Sequence, residues 1–147
     1  MILQLTHNTH PILHEKVKKC SYDLDREGLS KILLENMIHH KGVGLSANQI
    51  GINERVFIMV RDLEYNKILT CYNPRILKQS SKRVVMEEGC LSYPDEFIEV
   101  ERSETVVVKY EDENKVDHKI KLEGFAARVF LHEFDHMEGI DFTQRKG

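Results

Sequence analysis

Residues 125–139, FAARVFLHEFDHMEG, constrain the fold of this chain more than any other stretch. Gly124 precedes them and Gly139 follows, and a glycine just past the last turn is a common helix stop. Phe125, Ala126, Ala127, Val129, Phe130, Leu131, Phe134 and Met137 cover most of the helical circumference. A helix that is apolar all round is buried rather than laid on a surface. Yet the same helix carries His132, Glu133, Asp135 and His136, which are costly to bury without partners. The two histidines stand at i and i+4, so their rings share one face. That is the H-E-x-x-H spacing of metal-dependent hydrolases, with the glutamate able to reach a water beside the ion. The competing explanation is a pair of hydrogen-bonded core histidines.

Two imidazoles do not complete a catalytic site, which usually has three protein ligands and one open position. Eleven residues follow His136, and the longer motif with a further histidine fails at Phe142. The third ligand is therefore expected upstream. Cys90 is the candidate, flanked by Gly89 and by residues able to carry charge, whereas Cys20 and Cys71 read as small apolar fillers. A thiolate is a strong ligand for zinc or iron. From its local sequence alone Cys90 is equally consistent with an inert role.

The chain of 147 residues is expected to form one domain, 1–147. A net charge of −3 gives no sign of nucleic-acid or anionic-membrane binding. No apolar run is long enough to span a bilayer, and the N-terminus lacks the features of a signal or transit peptide. Three cysteines without framework spacing favour a reducing cytoplasm.

Asp23 or Asp25 can cap a first helix, with Leu29, Ile32, Leu33 and Met37 at helical spacing and Gly42 as its stop. The stretch 42–51, GVGLSANQIG, reads as a glycine-rich loop without the lysine of a phosphate loop. Strands are expected at 56–60, at 68–72 ending in Asn73-Pro74, at 84–86 and at 97–102, with a hairpin of 105–110 and 116–122 around an acidic turn. Glu87 to Pro94 is expected to lie between strands. Strands in one block with a helix before and after argue an α+β fold, with antiparallel or mixed sheets packed around the buried histidine helix.

Three stretches taken together resemble the peptide deformylase family, marked by G-x-G-L-A-A-x-Q, E-G-C-L-S and H-E-x-D-H in that order. Here they stand as residues 42–49, 88–92 and 132–136. His10-Pro11-Ile12-Leu13, Arg102 and Gly124-Phe125-x-Ala127-Arg128 are similar as well. Ser46 replaces the usual alanine, Leu131 the usual glutamine, and many members continue further beyond Phe142. The resemblance implies hydrolysis of the N-formyl group of N-formylmethionyl nascent chains, with release of formate. Cys90, His132 and His136 would hold one divalent ion, Fe²⁺ in cells, with Zn²⁺, Ni²⁺ or Co²⁺ able to substitute. Glu133 would act as general acid and base. The Gln49 amide and the main-chain N–H of Leu91 would stabilise the oxyanion. Val43, Gly44, Gly89, Leu91, Val129 and His132 are candidates for the methionine pocket. Asp135 is expected to orient a ligand histidine or a backbone group, and Glu88 and Arg102 to pair. The expected partners are nascent chain ends, met at the ribosome; the expected state is a cytoplasmic monomer. Two other functions fit part of the pattern: an endopeptidase, which needs a downstream ligand, and a structural metal site, which needs a fourth protein ligand.

Overall fold

The computed structural model describes residues 1–64 and 66–145. A 3₁₀ turn at Pro11–His14 precedes helix α1, Arg26–His39. Strands β1 (Gly44–Ser46), β2 (Val56–Asp62), β3 (Lys67–Gln79), β4 (Arg83–Cys90), β5 (Tyr93–Ser103), β6 (Thr105–Glu111) and β7 (Asp117–Glu123) follow, then helix α2, Gly124–Met137. Five strands form one sheet in the order β1-β2-β3-β6-β7, and β4 pairs with β5 alone. Every pairing is antiparallel, so the mixed alternative does not occur among the described residues.

The apolar run of β2 has a simple cause. Phe57 and Met59 face a cluster built with Val129, Phe130 and Met137 of α2. Val56 and Ile58 face the opposite way, into a cluster with Leu29, Leu33 and Met37 of α1. A strand covered on both faces has no polar side and reads as continuous hydrophobics. The sheet thus fixes α2 on one face and α1 on the other. Asp25 caps α1, its carboxylate accepting from the Gly28 N–H at 3.1 Å.

Three expectations need correction. The strand expected to end at Asn73-Pro74 continues to Gln79, because Asn73 takes a φ of 49° and the register shifts between Tyr72 and Arg75. A bulge absorbs the proline where an even ladder could not. Glu87–Pro94 is not an intervening loop: β4 runs to Cys90 and β5 begins at Tyr93. The glycine-rich 42–51 stretch is also structured, as β1 and a 3₁₀ turn at Ala47–Ile50. The α2 helix is buried at Ala127, Phe130 and Met137 but leaves its first aromatic, Phe125, 39% exposed. No helix of the described residues is long and apolar enough to cross a membrane.

Gly139 ends α2 with a φ of 72°, and a Cβ there would lie 2.7 Å from the Glu15 carbonyl carbon. Gly139→Ala is expected to cost at least ~1–2 kcal/mol, because the left-handed conformation is strained and backbone cannot step aside. A urea titration monitored by circular dichroism will read this as a lower midpoint.

Candidate metal centre

α2 presents His132 and His136 one turn apart, with ring centroids separated by 5.1 Å. The third donor comes from the end of β4, where the register shifts between Gly89 and Cys90. The Cys90 Sγ lies 3.5 Å from His136 Nε2. One donor atom from each of the three residues falls within 4.8 Å of the others. A thiolate and two imidazoles so spaced fit a divalent ion of borderline softness. The downstream ligand of the endopeptidase alternative has no counterpart in this cluster.

Glu88 organises the donors. It accepts from Arg102 Nε at 2.6 Å and Nη2 at 3.0 Å, from Arg128 Nη1 at 2.5 Å, and from His132 Nδ1 at 2.9 Å. With Nδ1–H donating to the carboxylate, the lone pair of His132 Nε2 points away from Glu88 and can ligate. Burial by itself would raise the Glu88 pKa; the hydrogen bonds from His132 and Arg102 outweigh it and bring it down to about 2. Arg102 also donates to Asp135 at 2.9 Å, and Arg145 reaches the same carboxylate at 3.1 and 3.2 Å. The expected Glu88–Arg102 pair is therefore present. Asp135, however, faces guanidinium groups rather than a histidine, and the carboxylate that touches His132 is Glu88. The reason is tertiary: the β4–β5 hairpin crosses α2 on the side of His132 and slots Arg102 between the two acids.

The ionisation of the cluster follows from burial. His136 is pushed down to about 3 by burial and by the nearby His132 charge, so it is neutral and ready to ligate near pH 7. Burial acts the same way on His132, but hydrogen bonds with Cys90 and Glu88 prevail and lift it to about 10. Glu133 is 4% exposed and its Oε1 has no hydrogen-bond partner. Burial raises its pKa to about 7. A Cβ on Gly44 would sit 2.6 Å from Glu133 Oε2, so glycine lets β1 pass close to this carboxylate without displacing it.

Gln49 is buried in the 3₁₀ turn after β1, not solvent-facing. Its Oε1 accepts from the Ser46 N–H at 3.0 Å and the Ser46 hydroxyl at 3.1 Å. Its Nε2 then points at the Ser92 hydroxyl, 3.0 Å away, and at Cys90 Sγ, 3.6 Å away. A cavity of about 500 Å³ opens over these groups. Val43, Gly44, Gly89, Leu91, Val129 and His132 all line it, joined at its apolar rim by Met86, Phe97 and Phe125.

Sequence reasoning gave no role to several residues that hold this arrangement. Arg128 was visible only as part of a flanking motif. Phe142, 1% exposed, packs its ring 5.8 Å from His132 and 5.5 Å from Tyr93. The Tyr93 hydroxyl donates to Asp141 at 2.5 Å. Nothing local in the sequence ties the segment after α2 to His132, because the contact exists only once the chain folds back.

A family model described as polypeptide deformylase matches residues 2–146. A peptide deformylase of Thermotoga maritima is 41% identical over 136 residues, covering 92% of this chain and 81% of that protein. One from a Picosynechococcus strain is 35% identical over 146 residues, covering 97% and 78%. The crystal structure of peptide deformylase from Thermotoga maritima superposes with a TM-score of 0.92 at 37% identity, covering 100% of this chain and 99% of that one. A class I type b peptide deformylase from Acinetobacter baumannii, solved with Met-Ala-Ser bound, gives 0.89 at 33% identity over 99% and 98%.

Two outcomes are expected. The Glu133 pKa is raised from 4.5 to about 7. A raised folded-state value means stability that is full below pH ~4.5 and lost as pH climbs through ~7. Glu133→Gln stays neutral, so the metal-free variant should exceed the metal-free parent by up to ~3 kcal/mol at pH 8 and match it at pH 4.5. Thermal melts at the two pH values measure this. Ser46→Ala removes a hydroxyl whose single proton is shared between Asn48 Oδ1 at 2.6 Å and Gln49 Oε1 at 3.1 Å, but keeps the Ser46 N–H bond that orients the Gln49 amide. It should change kcat by less than ~3-fold and cost ~1 kcal/mol of stability, read by thermal melts beside formate-release kinetics.

Proposed function

The chain belongs to the peptide deformylase family, metal-dependent hydrolases of the formyl group at polypeptide N-termini, and we propose that Cys90, His132 and His136 hold its metal while Glu133 moves the protons of the reaction. The activity is removal of the N-formyl group from nascent polypeptides, with release of formate. The observation that carries the site assignment is the convergence of one thiol and two imidazoles beside a buried carboxylate that has an unpartnered oxygen.

When bound, a divalent ion at these donors supplies Lewis acidity, bringing the pKa of a water from ~16 toward ~7 and drawing charge from the formyl oxygen. Glu133 accepts the proton of the attacking water at its unpartnered Oε1 and passes it to the leaving amine. A carboxylate with a pKa of about 7 suits both directions of transfer near neutral pH. The Gln49 Nε2–H, aimed by Ser46, donates to the formyl oxygen as it becomes an anion, and the Leu91 main-chain N–H is the second donor. Glu88 keeps His132 in the tautomer that ligates, with Arg102 and Arg128 holding that carboxylate ionised. The methionine side chain enters the apolar cavity between Val43, Leu91 and Val129.

Among the ions that this donor set accepts, Fe²⁺ is the one we assign in cells, with Zn²⁺, Ni²⁺ and Co²⁺ able to substitute. The protein works as a cytoplasmic monomer on chains emerging from the ribosome.

Formate release from formyl-Met-Ala tests the assignment. The parent protein should release formate and leave a longer, unformylated peptide uncut. Glu133→Ala should lose roughly 100- to 10,000-fold in kcat while still binding one metal ion per chain, as measured by metal analysis after gel filtration. Retained activity in that variant would remove Glu133 from the mechanism.

A further inference from the structure

A second groove, of about 510 Å³, lies where residues 16–19 pass the β3–β6–β7 end of the large sheet. It shares no lining residue with the catalytic cavity. Six cationic side chains line it (Lys16, Lys18, Lys19, Arg55, Arg75 and Lys109) against the two carboxylates Glu111 and Asp117. In a chain of net charge −3 this is a marked segregation of positive charge.

Much of that charge is uncommitted. Arg55 is occupied, donating to the Val17 and Met137 carbonyls and to Glu138 at 2.9–3.2 Å. Lys16 and Lys109 have carboxylates only at 3.9 Å. Among the described residues Lys18, Lys19 and Arg75 make no ion pair, and Glu111 is taken by Arg26 at 2.9 Å. The sheet register adds an independent observation. Arg75 is the cross-strand partner of Lys109, and Lys109 is the partner of Lys119. Three cations therefore stand in one row on the same face, spaced ~5 Å apart, and like charges placed so are destabilising in the free protein. An anion with repeating charge along the row removes that repulsion.

One more feature narrows the ligand. Tyr22, three residues after Lys19, is 91% exposed, and the Lys115 ammonium sits 4.6 Å from its ring centroid. Tyr22 does not line the groove, but it follows the lining Lys19 by three residues and contacts Lys115 in the turn that joins the lining strands β6 and β7. An exposed aromatic ring joined to a cationic track is how single-stranded nucleic acids are held, bases stacking while phosphates follow the charge. We propose that this face binds single-stranded nucleic acid, its phosphodiester backbone along Lys18, Lys19, Arg75, Lys109 and Lys119, with Tyr22 as a stacking platform. The near-balanced charge of the whole chain conceals this, although Glu111 and Asp117 offset part of the positive charge at the groove itself.

The test is fluorescence anisotropy of a labelled ~12-nucleotide oligouridylate with the full metal-loaded chain at ~50 mM salt, repeated as salt rises. Saturable binding that weakens steeply with salt is expected. A triple variant, Lys18→Glu, Lys19→Glu and Arg75→Glu, should bind at least ~10-fold more weakly, with the salt slope reduced by ~2, while deforming neither the fold nor the rate of formyl-Met-Ala hydrolysis. Tyr22→Ala should weaken the oligouridylate but not inorganic polyphosphate. Absence of saturable binding by the parent chain, or a triple variant that binds as the parent does, would overturn the proposal. Polyphosphate bound as tightly as the oligonucleotide, with Tyr22→Ala silent toward both, would overturn the nucleic-acid assignment.

Discussion

The Glu88 carboxylate, 6% exposed and held by Arg102, Arg128 and His132, is the contact on which the rest of the site depends. It joins the β4–β5 hairpin to α2, two parts of the chain that share no sheet. A buried ion pair is a poor source of net stability, because desolvation offsets most of its attraction. Its value here is specificity. Arg102 reaches Glu88 on one side and Asp135 on the other, so the hairpin can seat on the helix in only one register. That register is what brings the Cys90 sulfur beside the His136 ring. The contact also occupies Nδ1 of His132 and leaves Nε2 facing away from Glu88.

Around this anchor the fold accepts groups that weaken it. Glu133 is buried with one oxygen unpartnered, and His136 has an Nδ1 without a partner. Both would be better solvated at the surface. The large sheet offsets them: Phe57 and Phe130 pack at 5.1 Å between centroids, within a cluster that continues through Val106, Val108 and Leu122. The apolar circumference of α2 reflects the same division. Its hydrophobic residues hold the helix in place, so that five polar ones, Arg128, His132, Glu133, Asp135 and His136, are set inside the protein rather than where water would put them.

The segment after α2 belongs to the same unit. Phe142 rests on the His132 ring, Asp141 takes the Tyr93 hydroxyl, and Arg145 closes on Asp135. Contacts thus run from His132 through Glu88, Arg102 and Asp135 to Arg145, in the same turn as Phe142, whose ring returns to His132. The His132 ring is therefore held from both sides, and a side chain already fixed loses little entropy in any further contact.

Local backbone geometry made part of the site legible in the sequence by itself: the i, i+4 histidines with a glutamate between them and the buried strand at 56–60 follow from spacing and periodicity, whereas Cys90 was singled out only by the missing third donor and by the family resemblance. The sequence also gave both helices and the β6–β7 hairpin, where capping and alternation are local. Tertiary structure decided the rest. It decided that Asn73-Pro74 bends a strand instead of ending it, that Glu88 rather than Asp135 steadies His132, and that Phe142 returns to the site. It also gathered scattered lysines into one charged row that net charge averages away. Such facts depend on which distant segments meet, and packing selects those meetings from the whole chain at once.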